Sequence, residues 1–219
     1  MTSGAAGHPL LAYFDSFYPS RSTLAGRLLF RVGERERVHI VREWLPPTGG
    51  LSVLDAGCGD GELLAAVLAG HPARLRLEDI SPRAVERAAR RLAGRAGALE
   101  AVVADALEAD ACSFDVVLSV GVLDYHADPA GALERLLRRS RRVLIASLPR
   151  RDNPRNRARR AWFAARGGAL VLVSRKAAAA MAASLGRPFD LRRGPYEWFL
   201  RIHPPVADTS AVRDRSPGG

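Results

Sequence analysis

The sequence predicts an α/β fold in which helices cover both faces of a mainly parallel sheet. Two observations lead to this prediction. Short apolar runs alternate with runs of helical periodicity from residue 51 to about residue 150. Such alternation favours parallel pairing, because each helix carries the chain back across the sheet before the next strand begins. The last extended segment, 190–203, has the pattern of a hairpin and is expected to add an antiparallel edge.

The predicted elements follow one another in a regular order. A first helix is predicted over residues 21–45, where apolar residues recur at helical spacing before Pro46 and Pro47. Strands are predicted at 51–57, 73–79, 99–105, 114–121 and 142–149. Helices are predicted at 61–70, 81–94 and 128–140, where Ser81 and Asp128 are each followed by proline, as at a capped helix start. An arginine-rich helical segment, an extended run at 169–174 and a helix capped by Ser174 precede the hairpin.

The chain divides into three parts in this interpretation. Residues 1–45 form an N-terminal helical lid or cap segment, residues 46–203 form the core domain, and residues 204–219 form a tail whose composition predicts disorder. The N-terminus lacks the pattern of a signal peptide, and no apolar run is long enough for a membrane span. Cys58 and Cys112 are isolated, which suggests neither a disulfide framework nor a zinc site. We therefore expect a cytoplasmic protein that binds no metal.

The net charge of +10 comes almost entirely from arginine, since Lys176 is the single lysine. Most arginines are spread along the chain, as a GC-rich coding bias would produce. The exception is "PRRDNPRNRARR" at 149–160, which contains six arginines and one aspartate. This segment follows the fifth predicted strand. It is either a contact for an anionic substrate, such as a carboxylate, a sulfate or a carrier-bound phosphopantetheine, or a solvated helix face.

A glycine-rich loop and three acids come at the ends of the first three predicted strands. Gly57 and Gly59 let the backbone turn tightly and approach a ligand closely. Asp55 precedes them and suits a cationic or hydrogen-bond-donating part of a ligand. Asp79 is placed to bind the hydroxyls of a ribose, and Asp105 to accept from an adenine amino group. Together they describe a pocket for a nucleoside with a positively charged appendage and no phosphate, and S-adenosylmethionine fits that description.

Four motifs resemble the class I S-adenosylmethionine-dependent methyltransferases in order and spacing. They are "VLDAGCGDGELL", "LEDISPRAVERA", "VVADA" and "FDVVLSVGVLDYHADPAGALERLLR", and the resemblance covers roughly residues 35–150. The stretch "GVLDYHADP" together with "VLIASLPRR" is also similar to a small-molecule subgroup related to the magnesium-protoporphyrin O-methyltransferases. The resemblance implies a Rossmann-like, seven-stranded sheet with a reversed last hairpin.

The resemblance also implies which residues hold the cofactor. Asp55, Gly57 and Gly59 would contact the methionine part, Asp79 the ribose and Asp105 the adenine side. The predicted cofactor site also includes three residues adjacent to these motifs, namely Ile80, Ala106 and Val120. Tyr13, in the aromatic segment "LAYFDSFYPSRS", either touches the cofactor or helps to pin the first helix to the sheet.

The catalytic candidates lie just after the fourth predicted strand. Methyl transfer requires a nucleophile held in line with the donated carbon, and an oxygen or nitrogen nucleophile can also need a base. Asp124, Tyr125 and His126 are expected where the substrate should lie. His126 is the preferred base, because imidazole titrates near neutral pH. The alternative is that His126 only packs locally while Asp128 caps the following helix.

The leading functional hypothesis is methyl transfer to an oxygen or nitrogen of a small molecule, in specialised natural-product metabolism. The alternatives are a methyltransferase fold repurposed for cyclisation or elimination, and a partner subunit in a homodimer or a heteromer. A nucleic-acid methyltransferase is disfavoured, because the Asn- or Asp-Pro-Pro-aromatic motif of amino-methylating enzymes is replaced by "SVGVLDYH". The substrate itself is not predicted.

Overall fold

The computed structural model describes residues 24–108, 112–165 and 168–203, with side chains from residue 34 onward. The strands are β1 (Ser52–Ala56), β2 (Arg74–Asp79), β3 (Ala98–Val103), β4 (Phe114–Ser119), β5 (Ser140–Pro149), β6 (Phe189–Arg193) and β7 (Glu197–Ile202). The α-helices are α1 (Leu24–Trp44), α2 (Glu62–Val67), α3 (Pro82–Leu92), α4 (Pro129–Arg138), α5 (Pro154–Ala164) and α6 (Arg175–Ser184). One turn of 3₁₀-helix, Leu123–Tyr125, follows β4.

The seven strands form one sheet in the order β3-β2-β1-β4-β5-β7-β6. The neighbours from β3 to β5 pair in parallel, whereas β7 pairs antiparallel with both β5 and β6. The strand order reverses between β1 and β4, and such a reversal leaves a crevice at the carboxyl ends of the two strands. The predicted mostly parallel, seven-stranded sheet with an antiparallel last hairpin is confirmed.

Helices pack on both faces of the sheet, as predicted. Successive residues of a strand point to opposite faces. In β1, Val53 packs in a buried apolar cluster with α1, α2 and α3, whereas Leu54 packs in a second cluster with α4 and α6. The C-terminal part of α1 therefore belongs to the core packing, with Ile40 and Val41 fully buried.

The predicted helix starts are confirmed by their caps. The side chains of Ser81, Asp128 and Ser174 each accept a hydrogen bond from the backbone amide three residues later. Three strands end earlier than predicted, since β1 ends at Ala56 and β4 at Ser119, and β3 ends at Val103 rather than at Asp105. The Asp105 carboxylate accepts a hydrogen bond from the Leu107 amide at 2.9 Å, and this local turn takes the chain out of the sheet.

An ion-pair cluster within the fold fixes the carboxyl end of β2. Glu78 is fully buried, and its two oxygens accept hydrogen bonds from Arg139, each at 2.7 Å. Arg76 Nε lies 2.7 Å from Glu78 Oε1. Arg139 also donates to the carbonyl of Ala106 at 2.9 Å, so the same guanidinium connects the end of β2 to the loop after β3.

Parts of two sequence predictions lie outside the described residues. These are residues 1–23 of the predicted lid segment, with Tyr13, and the predicted tail 204–219. Within the described ranges, no helix combines the length and the apolar character that a membrane crossing requires.

Candidate active site

A cavity of about 400 Å³ opens at the carboxyl ends of the strands, beside the reversal between β1 and β4. Its volume lies in the range of pockets that hold small molecules. The described residues that line it come from the loops after β1, β2, β3 and β4, and also from α1, α5 and β7. The cavity therefore joins segments from nearly the whole described length of the chain.

The glycine-rich loop after β1 forms one wall of this cavity. Gly57 has a φ of +82°, and a Cβ at this position would lie 2.1 Å from Cγ2 of Val122. A side chain would therefore meet both backbone strain and a steric clash. The amides of Gly57 and Cys58 both donate to the carbonyl of Glu78, at 2.8 and 2.9 Å. Burial raises the pKa of the Cys58 thiol, which suits a packing role rather than a nucleophilic one.

Asp55 lies at the base of the loop and is 7% exposed. Burial, and secondly repulsion from Asp79, raise its pKa to about 7. A buried carboxylate in this state favours a neighbouring cation, because a positive charge would stabilise the ionised form.

Asp79 connects the first two motifs. Its Oδ2 accepts a hydrogen bond from the Gly59 amide at 2.9 Å, and its Oδ1 accepts one from the Ser81 amide at 2.9 Å. Each carboxylate oxygen can accept more than one hydrogen bond, so the geometry is compatible with further donors from a ligand such as ribose hydroxyls. The sequence predicted the acid but not its contact with the glycine loop.

Arg159 of α5 holds two of the predicted catalytic residues. Its Nη1 donates to Asp124 Oδ2 at 3.1 Å, and its Nη2 donates to the hydroxyl of Tyr125 at 2.9 Å. Asp124 is only 2% exposed. His126 follows directly and also lines the cavity.

A second ion pair completes this side of the cavity. Arg37 Nη2 of α1 lies 2.8 Å from Glu197 Oε1, at the start of β7. Glu197 is 4% exposed, and burial raises its pKa although Arg37 acts in the opposite direction. Glu34 lies one helical turn before Arg37, with 3.5 Å between their charged atoms. An N-terminal helix and the C-terminal hairpin thus meet at the predicted catalytic segment.

The arginine-rich segment at 149–160 divides among several roles. Arg155 and Arg159 line the cavity, and Arg155 stacks over the ring of Tyr196 at 4.2 Å. Arg150 is buried and forms a bidentate contact with Asp152, at 2.9 and 3.0 Å. The remaining three, Arg151, Arg157 and Arg160, line a separate surface depression. The two predicted alternatives, substrate contact and a solvated surface, therefore concern different arginines. Substrate contact is open only to those that line the cavity, and the others lie outside it.

All the described residues of the predicted site line the one cavity. They are Asp55, Gly57, Gly59, Asp79, Ile80, Asp105, Ala106, Val120, Asp124, Tyr125 and His126. The structure thus brings these residues together, while their assignment to a functional site and their individual roles stay predictions. Tyr13 lies outside the described residues.

Outside the quoted motifs and the arginine-rich segment, sequence reasoning missed three charged residues of the cavity, namely Glu34, Arg37 and Glu197. The available signal for Glu197 was an acid directly before the apolar run "WFL" of the last strand. The two α1 residues gave no local signal, because charges on a helix usually face solvent. Within the described part of the chain, no three His, Cys, Asp or Glu side chains are grouped as a metal site requires.

Comparison with known proteins identifies the central part of the chain. Residues 54–142 match a family model described as a methyltransferase domain. The match covers less than half of the chain. The matched stretch contains the glycine loop, the three strand-end acids and the predicted catalytic segment. Arg37, Arg159 and Glu197 lie outside it, although they line the same cavity.

A known protein is similar in sequence to part of this chain. An 88-residue stretch is 43% identical to a ubiquinone biosynthesis O-methyltransferase of Methylocella silvestris; it covers 39% of this chain and 34% of the relative, so the match spans about a third of that protein.

Solved structures show the class I methyltransferase fold over most of the chain. Magnesium protoporphyrin IX methyltransferase from Synechocystis PCC 6803, solved with bound SAH (S-adenosylhomocysteine), has a TM-score of 0.68 and 20% identity, over 89% of this chain and 98% of that one. The 1,6-didemethyltoxoflavin-N1-methyltransferase of Burkholderia thailandensis, with bound 1,6-didemethyltoxoflavin and S-adenosylhomocysteine, has a TM-score of 0.63 and 21% identity, over 94% and 93%. At these identities the likeness concerns the fold.

Proposed function

We propose that the protein transfers a methyl group from S-adenosylmethionine to an oxygen or nitrogen of a small molecule. One observation carries the proposal. A single cavity joins the glycine loop and the three strand-end acids to Asp124, Tyr125 and His126. A cofactor end and an acceptor end in one cavity are what a direct transfer between two bound molecules requires.

The charge of the cavity suits this cofactor. Among the described lining residues, eight are Asp or Glu and three are Arg. The excess of carboxylates favours a cationic ligand, even though the whole chain carries a net charge of +10. S-adenosylmethionine supplies a methyl group on a positively charged sulfonium centre. The raised pKa of Asp55 fits the same ligand, because a cation would pair with the carboxylate that burial now disfavours.

The proposed roles follow the position of each residue. Asp55, Gly57 and Gly59 hold the methionine part, Asp79 the ribose and Asp105 the adenine side. Ile80, Ala106 and Val120 line the same end of the cavity.

Asp124, Tyr125 and His126 position the acceptor, and His126 is the proposed base. Arg159 restricts the first two through its hydrogen bonds, which reduces the freedom lost when the reacting groups are aligned.

We also propose that the N-terminal segment 1–45 covers the cavity. In the described part of this segment, Glu34 and Arg37 already line the cavity wall. Residues 46–203 then act as the core domain.

The cavity volume of about 400 Å³ suits a small-molecule acceptor rather than a nucleic acid. We further infer a setting in specialised metabolism and in the cytoplasm, on the basis of the sequence resemblance and composition.

Cofactor binding tests the proposal first. We expect isothermal titration to show micromolar binding of both S-adenosylmethionine and S-adenosylhomocysteine. Asp79→Asn should weaken both by about tenfold or more, because one accepting oxygen is replaced by a donor. Asp190→Asn is the matched control, since Asp190 pairs with Arg201 on the last hairpin, away from the cavity. A folded wild-type protein that binds neither compound would contradict the proposal.

Methyl transfer itself needs an acceptor screen with radiolabelled cofactor. We expect label to enter small molecules bearing a hydroxyl or an amine, and His126→Gln to lower kcat more than cofactor affinity. Cofactor binding without transfer to any acceptor in the screen would instead support the repurposed fold or the partner subunit.

A further inference from the structure

The acceptor end of the cavity contains a buried polar network that the methyltransferase domain does not account for. We call it the acceptor network and define it as Arg37, Asp124, Tyr125, Arg159 and Glu197. These residues come from α1, the 3₁₀ turn after β4, α5 and β7. Only Asp124 and Tyr125 fall within residues 54–142.

Two carboxylates of the acceptor network are only half satisfied. Asp124 Oδ2 accepts from Arg159, and Glu197 Oε1 pairs with Arg37. The other oxygens, Asp124 Oδ1 and Glu197 Oε2, are buried and have no hydrogen-bond partner among the described residues. Both residues are more than nine-tenths buried, and both line the cavity.

Such an arrangement is costly unless something supplies the missing hydrogen bonds. A buried acceptor without a donor destabilises the protein, and more so when it is charged. Among its fully buried atoms within the described residues, the network has two unpartnered acceptors but only one unpartnered donor, Arg37 Nε. A bound anion would add acceptors where donors are needed. A ligand group with several N–H donors would meet the need.

The acceptor network has two carboxylates and two arginines and so carries no net charge of its own, and the excess of carboxylates in the cavity lies toward the cofactor end. Burial raises the pKa of Glu197, and a cation beside it would restore its ionised form.

The protein backbone is shaped around this network. A Cβ on Gly121, just after β4, would lie 2.8 Å from Arg37 Nη2. The Gly121 amide donates to Ser147 Oγ at 2.9 Å, which fixes the turn in this position. The Arg37 guanidinium can therefore contact Glu197 because residue 121 has no side chain in its way.

We propose that the acceptor network binds a cationic nitrogen group of the substrate, an amine or an amidine, through Asp124 and Glu197. This inference rests on the proposed function, since it gives the chemical class of the methyl acceptor. It also differs from the anionic substrate that the arginine-rich segment suggested.

The test uses four small probes with one ring and different head groups. Benzamidine, benzyl alcohol, benzoate and toluene are titrated by ligand-observed NMR into the full-length protein, with and without S-adenosylhomocysteine. We expect benzamidine to bind most tightly, at least about tenfold tighter than benzoate. Asp124→Asn and Glu197→Gln should each weaken benzamidine by about tenfold while changing the affinity for S-adenosylhomocysteine less than about twofold.

Glu134→Gln is the matched control, because Glu134 is exposed on α4 and pairs with Arg138 of the same helix. It should leave benzamidine binding unchanged. The inference is overturned if benzoate or benzyl alcohol binds as tightly as benzamidine, if no probe binds at millimolar concentration, or if neither cavity variant weakens benzamidine. Loss of S-adenosylhomocysteine binding in the wild type would contradict the proposed function instead, and the probe ranking without that compound would still decide the inference.

Discussion

Two buried glutamates in one sheet differ in how completely their carboxylate oxygens are hydrogen-bonded. Glu78 in β2 is fully buried, and Arg139 donates to both its oxygens at 2.7 Å. Glu197 in β7 is 4% exposed and pairs through one oxygen with Arg37 at 2.8 Å, while no described residue donates to the other. Buried polar groups are normally satisfied, so an exception calls for an explanation. The comparison suggests that Glu78 belongs to the framework and that Glu197 faces a ligand.

The largest expected effect comes from breaking the satisfied pair. Arg139→Ala leaves the Glu78 charge buried with Arg76 alone, and we expect a loss of about 3 to 5 kcal/mol in the free energy of unfolding. Urea denaturation measures this loss. Arg138→Ala is the matched control, since Arg138 is 62% exposed and its pair with Glu134 should contribute less than about 1 kcal/mol. Equal losses in the two variants would show that the Glu78 cluster is not part of the stabilising framework.

A third buried acid, Asp55, sharpens the comparison through pH. Burial and the neighbouring Asp79 raise its pKa from 3.8 to about 7. Its stabilising contribution is therefore complete at low pH, below the pKa in the unfolded chain, and is lost as the pH rises through about 7. The loss amounts to a few kcal/mol, at about 1.4 kcal/mol for each pKa unit.

Asp55→Asn removes this titration. We expect the wild-type free energy of unfolding to fall relative to the variant between about pH 4 and pH 8, and the difference to level off above that range. Chemical denaturation of both proteins at a series of pH values measures the difference, in which the other titrating groups largely cancel. A difference that does not change with pH would show that Asp55 is ionised already, as a framework acid with a fixed partner would be.

The cofactor end of the cavity could be predicted because its residues are local in sequence. Gly57, Asp79 and Asp105 each lie at or within two residues of the end of a strand, and parallel strands bring their carboxyl ends to one edge of the sheet. Periodicity and capping patterns therefore sufficed to place the loop and the acids together. The contact of the Gly59 amide with Asp79 was not predicted, because it depends on the exact path of the loop.

The acceptor end could not be predicted in the same way. Arg37 and Glu197 are 160 positions apart in the numbering, and their ion pair depends on how α1 and the last hairpin pack against the sheet. Arg159 lies on a helix with six arginines in and before it, and the sequence does not distinguish the one that points at Asp124 from those that face solvent. Non-local packing therefore determines the geometry of the acceptor end. It also places there the charged residues that sequence reasoning missed.

The smallest expected effect on stability comes from the half-satisfied glutamate. Glu197→Gln keeps an oxygen that can accept a hydrogen bond from Arg37. It removes an ionisable carboxyl group whose pKa is already raised by burial. We expect the free energy of unfolding to change by less than about 1 kcal/mol, well below the loss in Arg139→Ala. The same urea denaturation measures it, without ligand and at neutral pH. A loss as large as that of Arg139→Ala would mean that the Arg37 pair is a framework contact like that of Glu78, and the unpartnered oxygen of Glu197 would then no longer indicate a ligand.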